Sequence, residues 1–556
     1  MRRDPIKVLK THTVENQPPA FGERDLYATD TPLREALHRE GAGWAEARVA
    51  HVGRLAGSEQ VLRWGDQANR YPPVLHSFDA YGRRIDEVEF HPAYHELMSL
   101  AMAHEVHSIA WTAEAPGGHV AHVALAYLLT QAEAGVLCPM AMTYAGVPAL
   151  RYQPDIAAQW VPRCLSTRYD ARCIPAAEKT GITLGMAMTE KQGGSDVRAN
   201  TTRATPVDRP GAGQAYRLTG HKWFCSAPMS DAFLTLAYTG ERSGGLSCFL
   251  VPRWTPEGLR NRIFVQRLKD KLGNRSNASS EIEYDHTWAL MLGEEGQGLH
   301  VILDMVHHTR LDTAYAPAGL MRAALVQALH HAHHRSAFQR RLIDQPLMRA
   351  VLADLALDVE AALAGVMRVA RAFDESANDA QVRAFARLAV AVVKFWNNKR
   401  CPPFIAEAME CVGGIGYVEE LPLARLYREA PLNGIWEGSG NVICLDILRT
   451  IQRQPESLAA FLAELDLARG GSAGLDAAID ALKAELRDTS SLEARARRLA
   501  ERMALCFTAS LLVRYAPPEV ADAFCAARLS GELHRIYGTL PAGVDVDAII
   551  ERAAAA

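Results

Sequence analysis

Apolar positions along the chain change from a helical spacing to a strand spacing and back again, and each change marks a change of element. The first 30 residues show no periodic spacing, and Pro18, Pro19 and Gly22 discourage regular structure, so an extended arm is expected. Thr31-Pro32 supplies an N-cap and first-turn pair for a helix through His38. Leu97, Leu100, Ala101 and Val106 form an apolar stripe over residues 92–107. The alanine-rich stretches 121–134 and 140–152 also read as helices, so residues 1–180 are expected to be an arm followed by an α-helical domain.

The texture then changes. Short runs of strand formers at 182–188, 216–218, 222–225, 233–238, 246–251, 263–265 and 281–284 alternate with Gly, Pro, Asn and Asp, which predicts a small barrel or sandwich over 181–292. From Gly296 the helical period returns: Leu347, Val351, Leu355, Val359 and Leu363 recur every four residues, and Phe385, Leu388, Val392 and Phe395 follow the spacing of a packed bundle. That bundle is expected over 293–450, interrupted at Gly413-Gly414-Ile415-Gly416. A last helical region, 451–556, carries Ile479, Leu482 and Leu486, then Leu499, Met503, Phe507 and Leu511, with Gly470-Gly471-Ser472 as a linker. The fold class is α+β, and no internal repeat of fixed period is visible.

Composition narrows the classes. The chain has 556 residues, room for three or four domains of about 150 residues. A formal net charge of −4 gives no global basic field, so any nucleic-acid contact needs a local patch. Ten cysteines, scattered from Cys138 to Cys525 without a C-x-x-C pair, argue against a zinc site or disulfide framework and for a reducing compartment. The N-terminus has no apolar core that would make it a secretory signal, and no apolar run approaches the ~20 residues of a membrane span. A cytoplasmic protein is expected.

Three stretches carry candidate chemistry. Residues 184–200, LGMAMTEKQGGSDVRAN, begin as a strand and break at Gly193-Gly194 beside Thr189 and Ser195. Freed backbone N–H groups there suit an anion such as a phosphate, and the plainer reading is a turn in which Ser195 and Asp196 bond their own backbone. Residues 410–417, ECVGGIGY, form a second glycine-rich site, followed by Glu420, Arg425 and Glu429. The third, Ile435-Trp-Glu-Gly-Ser-Gly-Asn441, sets Glu437 alone between an aromatic and a glycine. Apolar neighbours would raise that carboxyl toward the range of a general base, the alternative being a surface turn.

Together these stretches resemble the acyl-CoA dehydrogenase superfamily: residues 187–196 and 410–429 follow its two signatures, in order, within an α–β–α succession. TEKQGGSDVRANTT, GHKWFCSAPMSDA, RLKDKLGNRSNASSEIEY, PFIAEAMECVGGIGY and REAPLNGIWEGSGN are closer to its AidB-like branch, flavoproteins of the adaptive response to DNA alkylation damage, as are the N-terminal THTVENQPP and the long C-terminal extension. The resemblance is weakest beyond about residue 455.

The resemblance implies one FAD between the strand domain and the helical bundle of a homotetramer. Met186, Met188 and Thr189 would meet the flavin ring, with Gly194 and Ser195 at its pyrophosphate. Trp223, Phe224 and Ser226 would pack against it, plain barrel core being the alternative for the two aromatics. Arg335 and Phe338 match the family's R-x-x-F-G, with Gln339 in place of the glycine, and would reach a neighbouring subunit's cofactor. Glu410, Gly413 and Gly414 would line the adenine end across that interface, and Trp436, Ser439 and Asn441 flank Glu437. Glu437 falls at the family's catalytic base, which removes the α-proton of an acyl thioester as the β-hydride passes to the flavin. Arg310 matches an arginine near that base, with a helix-surface salt bridge as its alternative.

The branch also implies double-stranded DNA binding through the C-terminal helices, with weak dehydrogenase activity. Arg495, Arg498 and Arg502 share one helix face and are the candidate contact, with a solvated, ion-paired face as the alternative. Arg260, Arg262, Arg267, Lys269 and Lys271 form a second basic run. The competing function is a metabolic dehydrogenase of a short or branched acyl-CoA with no DNA role. His330, His331, His333 and His334, with two of them at i, i+4, invite a metal, but no carboxylate-rich partner motif accompanies them, and a helix face or subunit interface is expected. His307-His308 is ambiguous in the same way.

Overall fold

The computed structural model describes residues 5–488, 490–530 and 536–554. Residues 5–24 run extended, as expected of an arm, with one isolated bridge between Val8 and Thr13. The arm docks through Arg24 N to Gly57 O at 3.1 Å and Leu26 N to Gly53 O at 3.2 Å. Glycine is required at 57, since a Cβ there would sit 1.9 Å from Arg24 O.

Helix Thr31–Arg39 is capped by Asp30, one residue earlier than the sequence suggested: its carboxylate accepts from Leu33 N at 3.2 Å and from Tyr127 Oη at 2.8 Å. Further helices include Glu46–Ala56, Glu59–Arg70, Pro92–Ala103, Gly118–Ala132, Leu137–Arg151 and Pro154–Cys164. The expected run of helices is interrupted by an antiparallel hairpin, Val74–Phe78 with Arg84–Glu89. Its turn is built on Asp79, whose carboxylate accepts from Tyr81 N and Arg83 N, both at 2.9 Å.

The middle of the chain is a seven-stranded sheet in the order Leu184–Ala187, Ala232–Tyr238, Arg203–Pro206, Ala215–Ser226, Ser279–Leu292, Leu246–Pro252; Ile263–Leu268 also pairs with Ser279–Leu292. Pairing of Leu246–Pro252 back onto Ala232–Tyr238 closes it into a barrel. All seven residues of each of those two strands are buried, so no polar alternation marks them. Phe233, Phe249 and Val251 face the barrel interior, whereas Leu234, Leu236 and Leu250 pack with Tyr144, Val301 and Met305 of two helices.

Gly298–His334, Pro346–Glu375 and Ala380–Val412 form the bundle, whose core is continuous with the N-terminal helices. Phe385, Leu388, Val392 and Phe395 are buried as the spacing predicts; Leu347, in the first turn of its helix, is 83 % exposed. No helix among the described residues is long and apolar enough to cross a membrane. All ten cysteines are free.

The C-terminal extension is bound into the same core. Phe461 and Phe507 meet Phe385 with ring centroids 6.2 and 5.7 Å away. Gly470-Gly471-Ser472 is a tight packed turn rather than a loose linker: Ser472 caps helix Ala473–Arg487, and a Cβ at 471 would lie 2.5 Å from Val513. Arg528 reaches back to Asp354 and, at 3.1 Å, to Asp358, which Arg400 also grips at 2.6 Å. Burial pushes the Asp358 carboxyl up, but the two guanidiniums prevail and hold it down near 2. Removing one partner of a buried pair costs about 3–5 kcal/mol. Arg528→Ala is therefore expected to lower the thermal midpoint clearly, and an unchanged melting curve would show that the extension is not fastened here.

Candidate active site

The segment Ile435 to Ser439 links the turn Leu432–Gly434 to helix Gly440–Arg453. Within it Glu437 adopts φ +56° and Gly438 φ +103°. A left-handed non-glycine residue costs about 1–3 kcal/mol and persists only where its surroundings enforce it. Three side chains do so. Thr309 Oγ1 donates to Glu437 Oε2 at 2.8 Å. Arg310 Nε approaches Glu437 O at 3.5 Å. Lys394 Nζ donates to Trp436 O at 2.9 Å and to Gly438 O at 2.7 Å. Arg310 is itself fixed by Asp446 at 2.7 Å, and Arg387 holds the same carboxylate at 2.9 Å.

Burial raises the Glu437 carboxyl above its ordinary range, while the Thr309 hydrogen bond, Lys394 and Arg310 hold it back. Burial also depresses the Lys394 ammonium to about 7, against the pull of Glu437. Asp446 would be raised by burial, but Arg310 and Arg387 hold it near 2. Thr309, Lys394, Asp446 and Arg387 were not singled out from sequence. The available signal was one lysine inside the apolar run 388–396, LAVAVVKFW. Arg310 is buried on Asp446 rather than paired on a helix surface.

The barrel supplies the facing wall. Met186, from strand Leu184–Ala187, and Trp436 pack with Cys138, Met142 and Ala227. Ser226 lies at the end of strand Ala215–Ser226 beside this group, its Oγ 3.5 Å from Ser279 Oγ. Met188 O accepts from Asn200 Nδ2 at 3.0 Å, and Thr189 O from Trp223 N at 2.7 Å. These bonds bring the two predicted segments side by side. Trp223 and Phe224 are not barrel core: Phe224 is 47 % exposed, and Lys269 Nζ stands 3.2 Å from the Trp223 ring centroid.

The loop after Thr189 is pinned by Glu190, which the sequence reading passed over. Its buried carboxylate accepts from Thr202 Oγ1 at 2.6 Å, Thr201 N at 2.7 Å and Lys222 Nζ at 2.9 Å. Burial would raise this acid, but Lys222 and the hydroxyl and amide donors lower it to about 2. Ser195 and Asp196 are exposed, and the Asp196 side chain makes no capping bond to the turn that follows. A Cβ at Gly194 would lie 2.9 Å from Thr189 Oγ1, so only glycine leaves the loop this close to that hydroxyl.

A second group of predicted residues lies apart. Arg335 and Phe338 sit in the small hairpin Ser336–Ala337 with Arg340–Arg341 that ends helix Gly298–His334. Phe338 at φ +51° and Gln339 at φ +64° form its left-handed turn, where the family's glycine is replaced. The Phe338 ring is 93 % exposed. Glu410, Gly413 and Gly414 are exposed at the end of helix Ala380–Val412, with Gly413 at φ +74°.

Ser439 is the N-cap residue of helix Gly440–Arg453 but makes no side-chain cap bond, and Asn441 Oδ1 accepts from Arg497 Nε at 2.8 Å. Arg495, Arg498 and Arg502 all converge on Glu485, at 3.3, 2.8 and 2.6 Å. His330 holds the arm: its Nε2 lies 3.0 Å from Pro19 O, its Nδ1 3.2 Å from Arg24 Nη2, and Phe21 packs on its ring. Among the described residues no group of three or more His, Cys, Asp or Glu is arranged to hold a metal ion.

These features define a class: a carboxylate presented at the seam between a closed barrel and a helical bundle. Residues 16–171 match the Adaptive response protein AidB N-terminal domain, 185–287 the acyl-CoA dehydrogenase middle domain, and 296–452 the acyl-CoA dehydrogenase C-terminal domain. AidB of Escherichia coli (strain K12) is 46 % identical over 522 residues, 94 % of this chain and 95 % of that protein. Acyl-CoA dehydrogenase family member 11 of Caenorhabditis elegans is 32 % identical over 78 % of this chain and 71 % of its own. The crystal structure of Caenorhabditis elegans ACDH-11 in complex with C11-CoA superposes with a TM-score of 0.84 at 28 % identity, covering 95 % of this chain and 96 % of that one. The chain belongs to the AidB branch of the acyl-CoA dehydrogenase superfamily. It is an FAD-dependent oxidoreductase of acyl-CoA dehydrogenase type.

The residues present fit a flavin. The backbone of Gly194 comes close to the Thr189 side chain, as only glycine allows, which sets a hydroxyl and backbone at one edge, and Met186 with Trp436 offers an apolar wall. Glu190→Gln leaves the Lys222 ammonium buried without its counter-charge. That variant is expected to purify with a lower flavin-to-protein absorbance ratio and a lower melting temperature; parental values of both would remove Glu190 as the pin of the loop.

Proposed function

We propose that this protein oxidises an acyl-CoA thioester between its α and β carbons, with Glu437 as the base. One observation carries the reading: the Glu437 carboxyl, hydrogen-bonded by Thr309, sits on a left-handed peptide enforced by Arg310 and Lys394 and next to the Met186–Trp436 wall. Burial raises its affinity for a proton, as a base working near neutral pH requires. A bound FAD would supply a two-electron acceptor for the β-hydrogen, and the Glu437 carboxylate would take the α-proton. Met186, Met188, Thr189, Gly194, Ser195, Trp223, Phe224, Ser226, Trp436, Ser439 and Asn441 hold that cofactor in this reading. Arg310 positions the base through its backbone. Arg335, Phe338, Glu410, Gly413 and Gly414 serve a neighbouring subunit's cofactor in a homotetramer; the fully exposed Phe338 ring supports this. The C11-CoA complex of the Caenorhabditis elegans relative supports an acyl-CoA substrate.

Glu437→Gln is expected to keep its flavin and to lose acyl-CoA oxidation by about 10²-fold or more, read as anaerobic bleaching of the flavin with a panel of short, branched and C11 acyl-CoAs. Parental bleaching rates in that variant would take the base role from Glu437.

A second reading, binding of double-stranded DNA by a cytoplasmic alkylation-damage protein with weak turnover, has one structural support. Three guanidiniums share the single carboxylate of Glu485, which leaves that face of helix Leu492–Tyr515 with unbalanced positive charge. Arg495 also reaches Asp488 at 3.2 Å, which makes Arg498 and Arg502 the two available contacts. Arg498→Gln with Arg502→Gln is expected to weaken duplex binding and to flatten its salt dependence by about two phosphate contacts, with flavin content unchanged. Equal affinity at every salt concentration would make this face ordinary ion-paired surface.

A further inference from the structure

Resting on the reading of Glu437 as the base, we infer that Lys394 is the positioning residue that keeps this base ionised and holds its peptide in the left-handed turn. The two roles come from one atom. Nζ donates to the carbonyls on either side of residue 437, so the peptide must fold around it. Lys394 is 1 % exposed, on helix Ala380–Val412 between Val393 and Phe395, which are buried too. Among the described residues it makes no ion pair within 4.0 Å; its donors go to carbonyl oxygens.

The local charges show why this matters. From helix Gly298–His334 come Arg310 and Asp312; from helix Ala380–Val412 come Arg387, Lys394 and Lys399; helix Gly440–Arg453 adds Asp446, and helix Leu137–Arg151 adds Cys138. Asp446 already serves both Arg310 and Arg387, and Asp312 is engaged by His122 Nε2 at 2.8 Å. Lys399 is exposed, and burial pushes the Cys138 thiol up to about 12, so it stays neutral. Glu437 is thus the acid left to balance the buried ammonium, and Lys394 acts on it together with Arg310, whose own counter-charge, Asp446, is shared with Arg387. Lys394 and Glu437 each favour the charged form of the other across the turn. When Glu437 takes up a proton, that balance is lost, so the lysine opposes idle protonation of the base.

A lysine that only filled space would affect stability and leave the pH profile alone. The test compares FAD-loaded parent, Lys394→Met and Lys394→Gln for the pH dependence of flavin bleaching by one reactive acyl-CoA, alongside Glu437→Gln. Without the positive charge, the Glu437 carboxyl holds its proton to higher pH. Both lysine variants are therefore expected to move the acid limb of kcat/KM upward by about one pH unit or more. The Gln variant, which keeps a donor for the carbonyls, should retain more rate at the plateau than the Met variant. Should Met fail to fold, Gln alone decides the question. An acid limb at the parental pH in a folded variant overturns the role of Lys394, even if Glu437→Gln is inactive. Parental turnover in Glu437→Gln overturns the base reading itself, a separate failure.

Discussion

The structure depends on keeping one half-buried carboxyl group correctly aimed and able to ionise at a seam between two domains. Burial alone pushes the Glu437 carboxyl toward its protonated form. The protein opposes this with charge that is itself buried. Lys394 fixes the peptide, and Arg310 approaches its carbonyl while anchored to Asp446, which Arg387 also holds. Such networks contribute little net stability, because desolvation offsets most of the attraction. Their value here is geometric: the left-handed φ at 437 is a strained conformation that a hydrophobic pocket would not enforce.

The barrel solves the opposite problem. Its two fully buried strands make it rigid, and its loops can then be shaped for a ligand. Glu190 converts the loop after Thr189 from a flexible turn into a fixed edge, using amide and hydroxyl donors at 201 and 202 and the ammonium of Lys222. The barrel and the bundle meet through Met186 and Trp436, so the fixed edge and the base belong to one wall. The C-terminal helices add to the bundle rather than hang from it, through Phe461, Phe507 and the Arg528 ion pairs, and Arg497 carries this layer to Asn441, four residues past the base.

Much of this was legible in the sequence where chemistry and spacing coincide. The barrel and the bundle follow from periodicity, whereas the lone acid at Glu437, between tryptophan and glycine, reads equally as a surface turn until the family resemblance sets it at the base position. The hairpin 74–89 was missed because its strands are short and half-exposed, with no clean alternation. Trp223 and Phe224 could not be sorted between core and ligand surface, since the strand's pleat there is broken by a register shift between Lys222 and Cys225. Lys394 was invisible for a different reason: a charge in an apolar run reads as an exception until its partners, forty residues away, are in view. The arginines at 495, 498 and 502 were correctly placed on one face, but Glu485, which binds them all, comes from a separate helix.

The most direct test of the central claim is a crystal structure of the protein loaded with FAD. The isoalloxazine is expected to lie against the Thr189–Met186 edge and Trp436, with the Glu437 carboxyl facing the space beside the ring and still bonded to Thr309. A flavin bound elsewhere, or a Glu437 side chain turned away from that space, would contradict that claim.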